Sequence, residues 1–89
     1  MLDRRLALDP QVALRPEPFG ALAYHYGNRK LIFLKHPDVV AVVRRLGDER
    51  SVRATLEACG VAPARWGAFV EALSSLESSE VLRERVDAG

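Results

Sequence analysis

Cys59, His25 and His36 are the residues of this 89-residue chain whose types could do chemistry, and their spacing supports none. A zinc site needs three or four cysteine, histidine or carboxylate ligands close together, and one cysteine with two histidines eleven positions apart falls short. His25, between Tyr24 and Tyr26, has the groups for acid–base work, but a histidine at a strand end beside a turn reads as a surface residue. Cys59 falls on a helix face, where a cysteine reads as a small buried hydrophobe. There is no glycine-rich phosphate loop and no serine in a nucleophile-elbow context. The sequence therefore nominates no catalytic residue, no metal and no cofactor, and no enzyme activity is expected.

What the chain offers instead is an edge. Lys30-Leu31-Ile32-Phe33-Leu34-Lys35 reads as the last strand of a small sheet, with a lysine at each end. Flanking lysines guard an edge strand against aggregation. The same strand, if its outer side is free, carries unpaired N–H and C=O groups to which an extended peptide can add. Both roles are compatible, because guarding lysines also attract an acidic peptide. Trp66 and Phe69 stand at helical spacing and read either as core or as the wall of a groove between their helix and this strand. Lys30, Leu31, Ile32, Phe33, Leu34, Lys35, Trp66 and Phe69 are thus the candidate peptide-binding residues.

The elements that must hold these residues follow from local pattern. Residues 11–15 alternate as a short strand closed off by Pro16 and Pro18. Further strands are expected over 21–26 and 29–35, joined by a two-residue Gly27-Asn28 turn that sets Tyr24 opposite Leu31 and Leu22 opposite Phe33. One face of this hairpin is bulky and the other mixed. A helix begins at Pro37, with Asp38 in its first turn, Arg44 and Arg45 in its last and Gly47 beyond. Its apolar stripe is Val39, Val40, Val43 and Leu46. A second helix, capped by Ser51, buries Val52, Leu56 and Cys59 and stops at Gly60. The third starts near Pro63 and buries Trp66, Phe69, Val70, Leu73 and Leu76. Ser79 then caps a last short segment through Val81, Leu82 and Val86. Strands before helices give an α+β domain of winged-helix-like form, an N-terminal three-stranded antiparallel sheet packed on a C-terminal three-helix bundle.

A chain of this length buries roughly 60–70% of its unfolded surface, enough for one core. Residues 11–86 are expected to form that domain, after a loose lead-in over residues 1–10. Asp9-Pro10 interrupts Leu6-Ala7-Leu8 before a signal-peptide core can form, and a lone cysteine suits a reducing compartment, so a cytoplasmic location with no membrane association is expected. Residues 29–53 hold seven basic and three acidic residues, giving +4, whereas residues 54–89 hold three basic and six acidic, giving −3. The basic segment is either an unevenly charged solvated face or the surface that meets an anionic partner.

The run Arg15-Pro16-Glu17-Pro18-Phe19-Gly20-Ala21-Leu22 and the run Asn28-Arg29-Lys30-Leu31-Ile32-Phe33-Leu34-Lys35 resemble the peptide chaperones of mycofactocin biosynthesis. These are similar to the chaperone of pyrroloquinoline quinone biosynthesis, within the group of recognition elements for ribosomally made peptides. The resemblance is densest over residues 13–46 and rests on helix pattern and length over 51–86. It implies a non-enzymatic domain likened to a winged helix-turn-helix that reads peptide instead of DNA. It also implies two partners, the leader of the precursor peptide and a radical S-adenosylmethionine maturase that acts on the precursor's C-terminal Val-Tyr end. The alternatives are a winged-helix DNA-binding module of a small regulator and an adaptor that binds the enzyme alone. The cluster Arg44, Arg45, Arg50 and Arg53 favours DNA; the near-zero net charge and the acidic stretch from Glu71 oppose it, so no nucleic-acid partner is expected.

Overall fold

Alternation along the strands gives the sheet two unlike faces, and packing against the helices decides which of them is inside. In the computed structural model, which describes residues 1–85, strands β2 (Val12–Glu17), β3 (Gly20–His25) and β4 (Leu31–Leu34) form an antiparallel sheet in the order β2-β3-β4. The period of two sends Ala21 and Ala23, both fully buried, toward the helices together with Leu34. Leu22, Tyr24, Leu31 and Phe33 point to the opposite face. The bulky face of the hairpin is therefore the solvent face, with Phe33 60% and Leu31 54% exposed. Small residues on the inner face let the sheet lie close against the helix α1 (Pro37–Arg45), whose Val39, Val40, Val42 and Val43 are buried.

The register pairs Tyr24 with Leu31 and Leu22 with Phe33, as expected, but the connection is not a two-residue turn. The His25 N–H donates to the Lys30 carbonyl (3.0 Å) and the Arg29 N–H donates to the His25 carbonyl (2.7 Å), so Tyr26 to Arg29 form a four-residue loop. Arg29, at φ 60, takes the left-handed conformation. His25 is the reason for this loop, and it is buried at 7% exposure, correcting the surface assignment. Its Nδ1 accepts from the N–H groups of Gly27 (3.0 Å) and Asn28 (3.2 Å), so the ring closes the loop from inside. Strand β2 also runs past Pro16 rather than stopping there, because Pro16 lies at an edge-strand position that faces away from β3.

Helix α2 (Val52–Ala58) is capped as expected, the Ser51 hydroxyl accepting from the Ala54 N–H (3.1 Å), and Gly60 follows it at φ +71. Cys59 is half-buried rather than buried. A 3₁₀ turn over Pro63–Arg65 leads into helix α3 (Trp66–Ser78), in which Phe69, Leu73 and Leu76 are buried while Trp66 and Val70 are half-buried. Among the described residues no helix is long and apolar enough to cross a membrane.

Both termini depart from expectation. The lead-in contains a strand, β1 (Leu6–Leu8), and the segment after Ser79 is not helical but a strand, β5 (Leu82–Glu84), paired antiparallel with β1. Val86 lies outside the described residues. Leu6, Val81 and Leu82 are buried, and burying these side chains from both ends is what local pattern over three residues misses. Arg4 reinforces the join: its guanidinium donates to both Glu77 carboxylate oxygens (2.7 and 2.5 Å) and to Glu84 (3.2 Å). The Arg4 side chain thereby holds the Glu77 carboxyl below the usual carboxylate range.

Candidate peptide-binding edge and trough

Strand β4 ends the three-stranded sheet, and hydrogen-bond parity fixes what its free side presents. Because His25 bonds to Lys30, the pairs Ala23–Ile32 and Ala21–Leu34 are the ones that exchange backbone bonds with β3. The N–H and C=O groups of Leu31 and Phe33 therefore point away from the sheet. Their side chains lie on the exposed face, whereas Ile32 and Leu34 point toward the core.

Beside this edge runs a trough. Its first part, a cavity of about 200 Å³, lies between Ile32–Lys35 of β4 and its end, His36 and Val39 at the start of α1, and Ala72, Ser75 and Leu76 of α3. A second cavity of about 260 Å³ shares His36, Val39 and Ala72 with the first and continues to Asp38, Arg65, Ala68 and Phe69. The trough thus has an apolar floor and a polar end. At that end Arg65 donates to the Asp38 carboxylate, and its guanidinium lies 5.1 Å from the centre of the Phe69 ring. The Arg65 hydrogen bond holds the Asp38 carboxyl below its ordinary range.

The eight candidate residues are only partly brought together. Ile32, Phe33, Leu34 and Lys35 line the trough, Lys30 and Leu31 continue the same edge, and Phe69 forms part of the floor although only 3% exposed. Trp66 lines neither cavity; it packs against the core and its indole N–H donates to the Val61 carbonyl (2.9 Å). The sequence reading missed Ala72, Ser75 and Leu76 as wall residues, and His36, Val39 and Arg65 with them. Ala72, Ser75 and Leu76 stand at steps of three and four beyond Phe69 on α3, the helix whose groove with this strand was one of the two readings of Trp66 and Phe69.

On the other side of β4, Phe19 and Phe33 have ring centres 5.8 Å apart at an interplanar angle of 58°, and with Lys35 they border an open cavity of about 420 Å³. Gly20 makes this contact possible. A Cβ at Gly20 would sit 2.1 Å from the Leu34 carbonyl oxygen, so only glycine lets the Pro18-Phe19 corner close over β4.

Elsewhere the arrangement is poor in reactive groups. Burial pushes the Cys59 thiol up, away from thiolate chemistry, and its Sγ lies 3.9 Å from the Ala41 carbonyl. Among the described residues no three histidine, cysteine or carboxylate groups are placed to hold a metal ion. In the basic cluster, Arg45 pairs with Glu49 (3.0 Å) and Arg53 with Asp3 (3.4 Å), leaving Arg44 and Arg50 outside these two pairs.

An open edge above an apolar trough has the free backbone groups and the apolar wall that an extended peptide uses. The sequence profile of the Peptide chaperone MftB family matches residues 5–83. The chain is 50% identical over 80 residues to a peptide chaperone MftB of Mycobacterium ulcerans (strain Agy99), covering 90% of this chain and 73% of that protein. It is 47% identical over 83 residues to a peptide chaperone MftB of Mycobacterium tuberculosis (strain ATCC 25618 / H37Rv), covering 93% and 76%. A third relative of the same name, from Mycolicibacterium smegmatis (strain ATCC 700084 / mc(2)155), is 51% identical over 75 residues, covering 84% and 74%. No solved structure is significantly similar to the chain. With its family profile matched over nearly its whole length, the chain belongs to the MftB family of peptide chaperones, a family of binders rather than enzymes.

Proposed function

We propose that this chaperone captures the leader of the mycofactocin precursor peptide as an added strand on β4 and presents the rest of the precursor to a radical S-adenosylmethionine maturase. The observation that carries this reading is the outward N–H and C=O groups of Leu31 and Phe33 beside an apolar trough. Backbone pairing supplies affinity for almost any extended segment, and the trough supplies choice among side chains. Lys30 and Lys35, exposed at the two ends of the edge, favour a leader with acidic flanks. A second copy of the chain is a poor occupant, since antiparallel pairing of two β4 strands brings Arg29, Lys30 and Lys35 of both copies together. The maturase then meets a peptide already ordered, which lowers the entropy cost of its own binding.

Amide shift mapping tests the reading. Titrating the labelled chain with leader peptide should move the resonances of residues 30–35 and of Ala72 to Leu76. Changes confined to Val12 to Arg15 would assign the peptide to the opposite edge and end the proposal.

A further inference from the structure

A strand laid against β4 has two faces, and the molecule is built on both sides of it. Side chains of an added strand alternate, so those at one parity descend into the trough while those at the other stand on the outer face of the sheet. A one-sided reader would leave polar residues there. Here the outer face carries Leu31 at 54%, Phe33 at 60% and Phe19 at 39% exposure, next to one another along the edge. Exposed apolar side chains grouped in this way form the kind of surface that binding sites use.

We infer that the slot bordered by Phe19, Phe33 and Lys35 is a second specificity site for the leader, taking an apolar side chain adjacent in sequence to the one that enters the trough. This rests on the proposal that the leader pairs with β4. Continuity supports the assignment: Phe33 and Lys35 border both the trough and the outer slot, so a segment on this edge meets both. Directly opposed side chains in an antiparallel pair have Cβ atoms ~5 Å apart, within reach of the Phe33 ring. The Lys35 ammonium at the rim suits a carboxylate next to that apolar residue and disfavours a second copy of this chain. The occupant is therefore a strand apolar on both faces at adjacent positions, with an acidic neighbour, not a strand of alternating apolar and polar residues.

The experiment is an alanine scan of the mycofactocin leader peptide, titrated against the full chain and against its Phe19→Ser and Ala72→Leu variants, with melting of each variant as a check on folding. Phe19 lies outside β4, so its truncation leaves the edge backbone untouched. The expected result is sensitivity at adjacent leader positions, with Phe19→Ser weakening binding about tenfold and abolishing sensitivity at one parity only. Sensitivity at every second position, with Phe19→Ser binding as tightly as the parent, would overturn the outer site while leaving the trough in place. If Ala72→Leu, which fills the trough, also binds like the parent, the β4 reading itself falls and the outer site with it.

Discussion

The outer strands of the three-stranded sheet, β2 and β4, are finished in opposite ways. On β2 the bond from the Tyr26 N–H to the Gln11 carbonyl (2.7 Å) sets the parity, so Val12, Leu14 and Pro16 face outward. The Val12 N–H already donates to the Asp9 carbonyl (2.9 Å), and Pro16 has no N–H to give. Only Leu14 presents an outward donor. On β4 Leu31 and Phe33 both present donors, and the trough runs alongside. One edge has lost two of its three outward donors to covalent structure and local pairing; the other keeps both of its donors and carries charge at its ends, which an acidic peptide can exploit. An open edge is thus recognisable by which residues are absent from it as much as by which are present.

Proline placed on β4 should produce the largest effect, and its position decides which property is lost. Ile32→Pro removes a donor that pairs with β3 and should cost the fold ~3 kcal/mol, seen as a large fall in melting temperature. Phe33→Pro removes an outward donor and should leave melting close to the parent while weakening leader binding about tenfold, as titration would show. Equal melting of the two variants would mean that the parity assigned to β4 is wrong.

Opening the other edge is the converse. Pro16→Val restores the missing donor on β2 and should produce concentration-dependent association, measurable by sedimentation, with melting changed by less than ~1 kcal/mol. A variant that stays monomeric would show that Pro16 is not what closes β2.

A smaller effect is expected at the ends of β4. The double reversal Lys30→Glu and Lys35→Glu should slow leader association several-fold and leave dissociation nearly unchanged. Salt should reduce the difference from the parent, because exposed charges are screened beyond ~8 Å at physiological ionic strength. Association rates indifferent to both salt and reversal would reduce the basic segment to a solvated surface.

The smallest effect is the acid limb of stability at the polar end of the trough. Asp38 in the folded chain titrates below its unfolded value because Arg65 bonds its ionised form. Its contribution is therefore present above the unfolded value and is lost as pH falls through the folded one. The pair is partly exposed, so Asp38→Asn should remove only a few tenths of a kcal/mol from the acid limb of a pH–melting profile. Profiles that coincide throughout would show that the Arg65 contact contributes no stability.

Local chemistry determined much of this protein from sequence. Pro37 and Asp38 open α1, Ser51 caps α2, Gly60 ends it, and the pairing of Leu22 with Phe33 follows from the spacing of bulky residues around a short loop. The family resemblance is borne out, and it rested on runs around Pro16, Gly20 and Phe33 whose reasons are geometric. What the sequence left undecided were relations between distant segments. Leu6-Ala7-Leu8 and Leu82-Arg83-Glu84 are each too short to announce a strand, and they become one only by finding each other and burying Leu6 and Leu82. His25 reads as exposed until the loop it anchors is seen to fold over its ring. Alternation likewise shows that the hairpin has a bulky face and a mixed face without saying which is inside; close packing of α1 on Ala21 and Ala23 decides that. The trough is the sum of such decisions, since Ala72 and Ser75 line a site only because α3 lies across from β4.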